Sequence, residues 1–384
     1  SDKGREGDTP FLIPENKEGQ SMEYRKLPKG NERISILGMG TSSIGAAGEK
    51  EAREVMAMAL EQGINYFDLA SADAVPFSAF GQEIGGCRKD VYFQIHFGAD
   101  YHTGTYGWTT NLESIRRSID WQLNALKTDY IDFGFLHCID AESDLQKVQE
   151  NGVLEWIKEL KKQGVVRHIG FSSHTPAVAE KILDIGCMDM MMFSINPSYD
   201  YSHGDYGIGK VDERMALYRR CEAEGVGISV MKAFSGGQLL QAETSPFGCP
   251  LTEYQCIQYA LDKPGVLTVL PGVRNRTDLQ KILGFLNVSE EEKDYSVIGN
   301  FAPEDADGIC VYCNHCQPCP AGLNIGLINK YYDLAKAGDS LAKEHYGKLE
   351  KKAEDCIHCG HCETRCPFHV KQIRRMEKIS GYFG

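Results

Sequence analysis

The stretch EKEAREVMAMALEQG (Glu49–Gly63) runs straight into INYFDLA (Ile64–Ala70), and together they hold the unit from which the fold is built. In the first, Val55, Met58, Ala59 and Gln62 recur at helical spacing. Gly63 stands where a helix C-terminus needs a residue that tolerates positive φ. The second carries a short apolar run, Tyr66–Leu69, of strand length. Outward in both directions the unit repeats. Further strands are expected at Ile34–Leu37, Val91–Ile95, Tyr130–Leu136, His168–Phe171, Met190–Ile195, Gly227–Met231 and Leu267–Leu270, with helix-length segments between them. Eight such alternations over about 250 residues are the arithmetic of an α/β (β/α)8 TIM barrel. A doubly wound sheet is the alternative, but no glycine-rich fingerprint follows the first strand.

The 384 residues exceed one barrel. Three parts are expected: an N-terminal arm at 1–21, a barrel at 22–300, and a small α-helical domain at 301–384. SEEE at Ser289–Glu292 reads as a capping box opening a last barrel helix, and APEDADG at 302–308 reads as the boundary. Beyond it, Ile325, Ile328, Tyr332 and Ala335 share one helical face, and Leu341, His345 and Leu349 another.

Eight of the fourteen cysteines lie in CVYCNHCQPCP (310–320) and CIHCGHCETRCP (356–367). Each stretch offers three thiols at two-residue gaps and a fourth before proline. In two-cluster ferredoxins the Cys before proline ligates the other cluster. That rule assigns Cys310, Cys313, Cys316 and Cys366 to one [4Fe–4S] cluster, and Cys356, Cys359, Cys362 and Cys319 to the second. Structural zinc is the alternative, although two triplets are more than paired knuckles require. The ligand sets are complete without His315, His358 and His361.

The formal charge of −13 falls wholly on residues 1–300, because from Phe301 onward 11 Lys/Arg balance 11 Asp/Glu. An acidic barrel argues against nucleic acid or an anionic membrane as partner, and no apolar run reaches membrane-spanning length. The remaining cysteines (Cys87, Cys138, Cys187, Cys221, Cys249, Cys256) show no disulfide spacing, which favours a reducing, cytoplasmic setting. Export after loss of a signal is the alternative, since the chain starts at Ser1.

MEYRKLPKGNERISILGMGT (22–41), GINYFD (63–68), LKTDYIDFGFLHC (126–138), VVRHIGFSSH (165–174) and LPGVRNRTDL (270–279) follow one another in the order of the aldo-keto reductase superfamily. The chain resembles that family over about residues 22–285, and the cysteine-rich tail resembles its branch with a two-cluster ferredoxin-like domain. The resemblance implies a barrel that moves a hydride between a nicotinamide and a carbonyl, with an Asp, Tyr, Lys and His tetrad. Asp68 and His137 fall on the family's Asp and His. Asp73 stands in place of the tyrosine that protonates the alkoxide, and His96 in place of the lysine, so Asp73 and His96 are the candidate replacement acids. Ser172 and Ser173 fall where the family holds the nicotinamide carboxamide. KAFSGG and PGVRNRTDL bring Lys232, Gly236, Gly237, Gly272, Arg274 and Arg276 to the loops that bind phosphate in such barrels. The alternative for these loops is a basic turn neutralised by acidic neighbours. Ile282 and Asp278 stand at the family's adenine and 2′-phosphate contacts, so the cofactor, NAD(P)H or FMN, stays open.

Clusters pass single electrons, whereas a nicotinamide passes a hydride. The expected function is therefore an iron–sulfur oxidoreductase that passes electrons between two clusters and a phosphate-bearing redox cofactor or substrate at the barrel mouth. An external electron carrier and a small-molecule substrate are the expected partners, with no oligomeric state implied. The alternatives are an NAD(P)H-dependent carbonyl reductase with structural clusters, and a non-catalytic electron-transfer or docking protein. The Tyr-rich NPSYDYSHGDYG (196–207) is expected to wall the mouth.

Overall fold

The computed structural model describes residues 21–204, 206–300, 307–339 and 341–384. Residues 1–20 of the expected arm at 1–21, and residues 302–306 of the boundary segment at 302–308, lie outside the described residues.

Eight parallel strands run Met39–Gly40 (β1), Tyr66–Asp68 (β2), Tyr92–Phe97 (β3), Ile131–Leu136 (β4), Val166–Ser173 (β5), Met190–Ser194 (β6), Gly227–Met231 (β7) and Val266–Val269 (β8). They neighbour one another in chain order. The amide of Gly38 donates to the Val269 carbonyl at 2.9 Å and that of Gly40 to the Pro271 carbonyl at 3.1 Å, which brings β8 back onto β1. The result is a nearly closed barrel. Helices such as Glu49–Glu61 and Leu112–Leu126 cover its outside, burying Val55, Met56 and Ala59 on one and Ile115 and Ile119 on the other.

The expected first strand is divided. Arg33–Ser35 pairs antiparallel with Tyr24–Lys26, and the barrel strand proper is Met39–Gly40. The hairpin presents Leu27 and Ile34 to an inner cluster with Tyr66, Phe133, Phe135, Met190, Met192, Leu267 and Leu270. That cluster fills the barrel interior. The polar inward residues are left to the C-terminal end, where such barrels hold their chemistry.

Alternation on β3 explains the mouth. In YFQIHF, Phe93, Ile95 and Phe97 belong to the outer core, so Gln94 and His96 share the inner face. Register sets Asp68 opposite Gln94 and His96 opposite Phe135. After Phe97 the chain turns at Gly98 (φ 128°), where an added Cβ would meet His137 Cβ at 3.1 Å and the Thr109 carbonyl oxygen at 3.1 Å. Only glycine suits that corner. It leads into a hairpin, Ala99–Asp100 with Gly107–Trp108, which lies over the mouth.

The capping box at Ser289 forms, but its helix is a single turn, Glu290–Lys293. The C-terminal part is helical, with Ile325–Lys336, Ala342–Gly347 and Gln372–Phe383 around a core of Leu323, Ile325, Ile328, Tyr346, Met376 and Ile379. The helix Ala342–Gly347 buries Ala342 and Tyr346, whereas Leu341 is exposed, so its buried face differs from the expected Leu341–His345–Leu349 stripe. This part sits on the barrel. Lys263 Nζ donates to the Val311 carbonyl at 2.9 Å, and Arg219 donates to the Tyr312 hydroxyl at 3.2 Å, which donates to Asp333 at 2.8 Å. Val311, Phe368 and Val370 join the barrel's outer core. No helix among the described residues is long and apolar enough to cross a membrane.

Candidate active site and cluster ligands

At the mouth four side chains form one line. His96 Nε2 lies 2.6 Å from Asp68 Oδ1, His137 Nδ1 lies 2.9 Å from His96 Nδ1, and the Tyr106 hydroxyl lies 2.8 Å from His137 Nε2. An ionised carboxylate only accepts. With neutral imidazoles this leaves one arrangement: Tyr106 donates to His137, His137 to His96, and His96 to Asp68. Gln94 steadies the inner end. Its amide nitrogen donates to Asp68 Oδ1 at 2.9 Å, while its oxygen accepts from the Tyr66 and Ser229 hydroxyls at 2.7 and 2.9 Å. Trp108 Nε1 donates to the His137 carbonyl at 3.2 Å and holds the outer end.

Electrostatics fit neutral donors at the outer end. Burial, then the neighbouring His96, holds His137 well below the usual imidazole range. Burial, then Cys138, pushes the Tyr106 phenol up to about 12. Tyr106 remains 42% exposed on the rim, so the chain of bonds runs from a buried carboxylate to solvent.

Of the four expected acid–base residues, Asp68, His96 and His137 come together. Asp73 stands apart: its Oδ1 accepts from the Val75 amide at 2.9 Å at the start of the helix Val75–Glu83, and it packs on Gly45. Tyr106 was not foreseen, because it lies on a hairpin with no periodic signal. Gln94 was not among the expected residues either, although the alternation of YFQIHF puts it on the same face as His96.

Beside this line opens a cavity of about 790 Å³, bordered by Asp68, His174, Tyr199 and Tyr206 and by Lys232, Gly236, Gly237, Gly272 and Arg274. Tyr199 and Tyr206 confirm NPSYDYSHGDYG as a wall. Gly236 and Gly237 adopt φ 65° and 92°, so the loop after β7 turns tightly without side chains. Ser172 and Ser173 do not border the cavity. Ser172 accepts from the Cys138 amide at 2.8 Å and Ser173 donates to Asp140 at 3.3 Å, tying the β4 and β5 loops together. Arg276 is bound to Glu51 and Glu54 at 3.3 and 2.9 Å, and Arg274 to Asp278 at 2.7 Å. Arg276 thus serves as a neutralised basic turn, while Arg274 reaches the cavity edge.

The cysteines fit iron–sulfur clusters by donor type and placement. The amides of Tyr312 and His315 point at the sulfurs of Cys310 and Cys313, as thiolate ligands require. Cys366 lies within electrostatic reach of Cys313 and Cys316, and Cys356 within reach of Cys362. Cys319 and Cys356 pack on the helical core that contains Cys316 and Cys362. His315 Nδ1–H donates to the Ser296 carbonyl at 2.7 Å, and His358 is exposed.

Comparison with known proteins bears on the fold and on the cysteine-rich tail. The model of the aldo/keto reductase family matches residues 36–253, and that of a 4Fe-4S dicluster domain matches residues 308–370. The first match stops before Gly272, Arg274 and Arg276. An uncharacterized oxidoreductase, YqkF, of Bacillus subtilis is 32% identical over 164 residues, 42% of this chain and 52% of that protein. The aldo-keto reductase yakc [NADP(+)] of Schizosaccharomyces pombe is 23% identical over 248 residues, 61% of this chain and 68% of that protein. This chain therefore spans about half the length of the first of these relatives. Among solved structures, aldo-keto reductase AKR11C1 from Bacillus halodurans superimposes with a TM-score of 0.57 at 24% identity, covering 71% of this chain and 94% of that one. An aldo-keto reductase from Klebsiella pneumoniae in complex with NADPH superimposes at 0.52 and 16% identity, covering 71% and 92%. The fold, the matched 36–253 segment and the cysteine-rich tail agree: this chain belongs to the aldo/keto reductase family and carries a C-terminal 4Fe-4S dicluster domain.

Proposed function

We propose that this oxidoreductase passes electrons between its two clusters and a phosphate-bearing redox cofactor or substrate in the mouth cavity. The observation that carries the reading is the one-turn helix Pro197–Asp200. Tyr199 on it borders the cavity, and Tyr201 just beyond it lies in the field of Cys313 and Cys310 and faces Phe368 at 5.6 Å between ring centroids. One short segment thus borders the cavity at Tyr199 and comes within electrostatic reach of the first group of thiols at Tyr201. Asn196 caps this helix and donates to the Lys232 carbonyl at 2.8 Å, which ties the segment to the glycine loop. Cys310, Cys313, Cys316 and Cys366 are the ligands proposed for the cluster beside Tyr201, and Cys356, Cys359, Cys362 and Cys319 for the second. When bound, the clusters supply one-electron transfer. Lys232, Arg274 and the Gly236–Gly237 turn are the groups proposed to hold the phosphate.

The test is anaerobic. Protein with a full iron complement is reduced, then mixed with FMN or with NADP⁺ while cluster absorbance is followed. Reoxidation at a rate that saturates with one of the two is expected. Clusters that ignore both would sink the reading.

The hydrogen-bonded line favours a second reading, carbonyl reduction with structural clusters, because it restores a phenol at the mouth. Tyr106 gives its proton to the alkoxide that hydride transfer from NADPH forms and is reprotonated from solvent at the rim, while His137, His96 and Asp68 hold the phenol in place. The line ends neutral and the alcohol is complete. Aldehyde turnover with NADPH that survives Cys359→Ser would favour this reading over the first.

A further inference from the structure

Three metal-ligating side chains that the hydrogen-bonded line does not use converge where β4 and β5 end: Cys138, Asp140 and His174. Their ligand atoms all lie within 4.8 Å of one another. Both side-chain hydrogen bonds in the group end on one oxygen. Cys138 Sγ–H donates to Asp140 Oδ2 at 3.4 Å and His174 Nδ1–H donates to the same Oδ2 at 3.0 Å. Two protons aimed at a single carboxylate oxygen, from a thiol and an imidazole, mark a place that one cation can take instead.

The spacing suits zinc. Oxygen or nitrogen about 2.0 Å from a tetrahedral zinc, and sulfur about 2.3 Å from it, stand roughly 3.3 Å (N to O) and 3.5 Å (S to O) apart. Two of the three edges lie within a few tenths of an ångström of these values before any metal enters, and the third, sulfur to nitrogen, is within 4.8 Å. Thiolate, imidazole and carboxylate together also select zinc over the oxygen-preferring magnesium or calcium. The remaining bonds hold the ligands from behind. Asp140 Oδ1 accepts from the His174 amide and the Ser173 hydroxyl, the latter at 3.3 Å, and the Ser172 hydroxyl holds the Cys138 amide at 2.8 Å. Support of this kind orients a carboxylate ligand.

His174 is also free to change tautomer. His174 is only 8% exposed and borders the mouth cavity, yet its Nε2 has no hydrogen-bond partner. Asp140 alone therefore holds the proton on Nδ1. Moving it to Nε2 frees Nδ1 for a metal without breaking a second bond. We propose that Cys138, Asp140 and His174 form a zinc site at the barrel mouth, with a fourth position completed by water or a cavity ligand. Binding releases the thiol proton of Cys138 to solvent, and the imidazole proton is retained on Nε2. The site is separate from the eight cluster cysteines and needs no electron transfer.

The experiment uses the anaerobic holoprotein and zinc alone, with iron and zinc measured together after removal of loosely bound metal by a weak chelator. One zinc per chain is expected in protein whose iron complement is full. Cys138→Ser and Asp140→Asn should each weaken zinc binding at least about 10-fold with unchanged iron and unchanged thermal midpoint, while Cys87→Ser should bind as the parent does. Zinc that appears only as iron is lost, or that is retained equally by Cys138→Ser and Asp140→Asn, would overturn the site and leave the triad a hydrogen-bonded brace. Should either variant lose iron or stability, a calorimetric zinc titration of the parent after thiol alkylation of Cys138 replaces it, and undiminished binding overturns the site in the same way.

Discussion

Two buried aspartates in the barrel, Asp68 and Asp200, look alike in sequence and do different work. Asp200 is sealed: Arg214 Nε donates to it at 2.8 Å, Tyr218 at 2.6 Å and Tyr259 at 2.7 Å, and all four side chains are buried. Its charge is met by a guanidinium with no route outward. Asp68 is met by His96 and Gln94, and the bonds continue through His137 to a phenol on the rim. A buried carboxylate is therefore not a catalytic signal by itself. What separates the two is whether its partners can hand a proton on to solvent. Arginine cannot, and paired imidazoles can. The sealed aspartate still bears on function, because it anchors the helix that carries Tyr199 toward the cavity.

The largest effect expected from this contrast is on stability. Asp200→Ala leaves Arg214 as a buried charge without its partner and should cost about 3–5 kcal/mol, read by anaerobic denaturant unfolding. A loss below about 1 kcal/mol would mean that Arg214 finds water and that the cage is not sealed. At the other aspartate the effect should be on rate. Tyr106→Phe removes one half-buried hydroxyl, with a stability change near 1 kcal/mol or less. Proton-coupled turnover should nevertheless fall by about 10²-fold or more, in whichever of the cluster-linked or carbonyl assays proves active. Turnover equal to the parent's would remove Tyr106 from the chemistry.

The two regions also differ in how far the sequence revealed them. The barrel was legible because each βα unit carries its own periodicity, and the cysteine pattern because ligand spacing is local. Asp68, His96 and His137 were legible through the family resemblance, which sets them at or just beyond the ends of strands. Tyr106 was not, since it reaches His137 through a hairpin whose path depends on Gly98 turning over the mouth. Asp73 misled for a related reason. Its place in the chain matches the family tyrosine, but the local backbone spends its carboxylate on the start of a helix. Arg276 was hidden the same way, because Glu51 and Glu54 lie more than two hundred residues away in sequence. Linear spacing fixes strand ends and cluster ligands. It does not say which long-range partner reaches a polar group first.

The smallest effect is a pH dependence peculiar to the hydrogen-bonded line. His137 in the folded chain is held well below the ordinary imidazole value of 6.5, chiefly by burial and then by His96. In the unfolded chain it titrates normally. Between those two values the unfolded state binds the extra proton and the folded state does not, so stability rises with pH there. Above the unfolded value both states are neutral and the contribution is flat. As pH falls below about 6.5, stability should decline with a slope approaching 1.4 kcal/mol per pH unit from this one group. His137→Gln, which keeps an amide near His96 and Tyr106 but cannot titrate, should flatten that limb. Arg214, the partner of Asp200, stays charged across the range. Unfolding free energies at a series of pH values from about 7 downward, for the parent and His137→Gln, therefore separate the two aspartate regions. Identical slopes would mean that the outer imidazole gains a proton in the folded state, and the direction assigned to the line would have to be reversed.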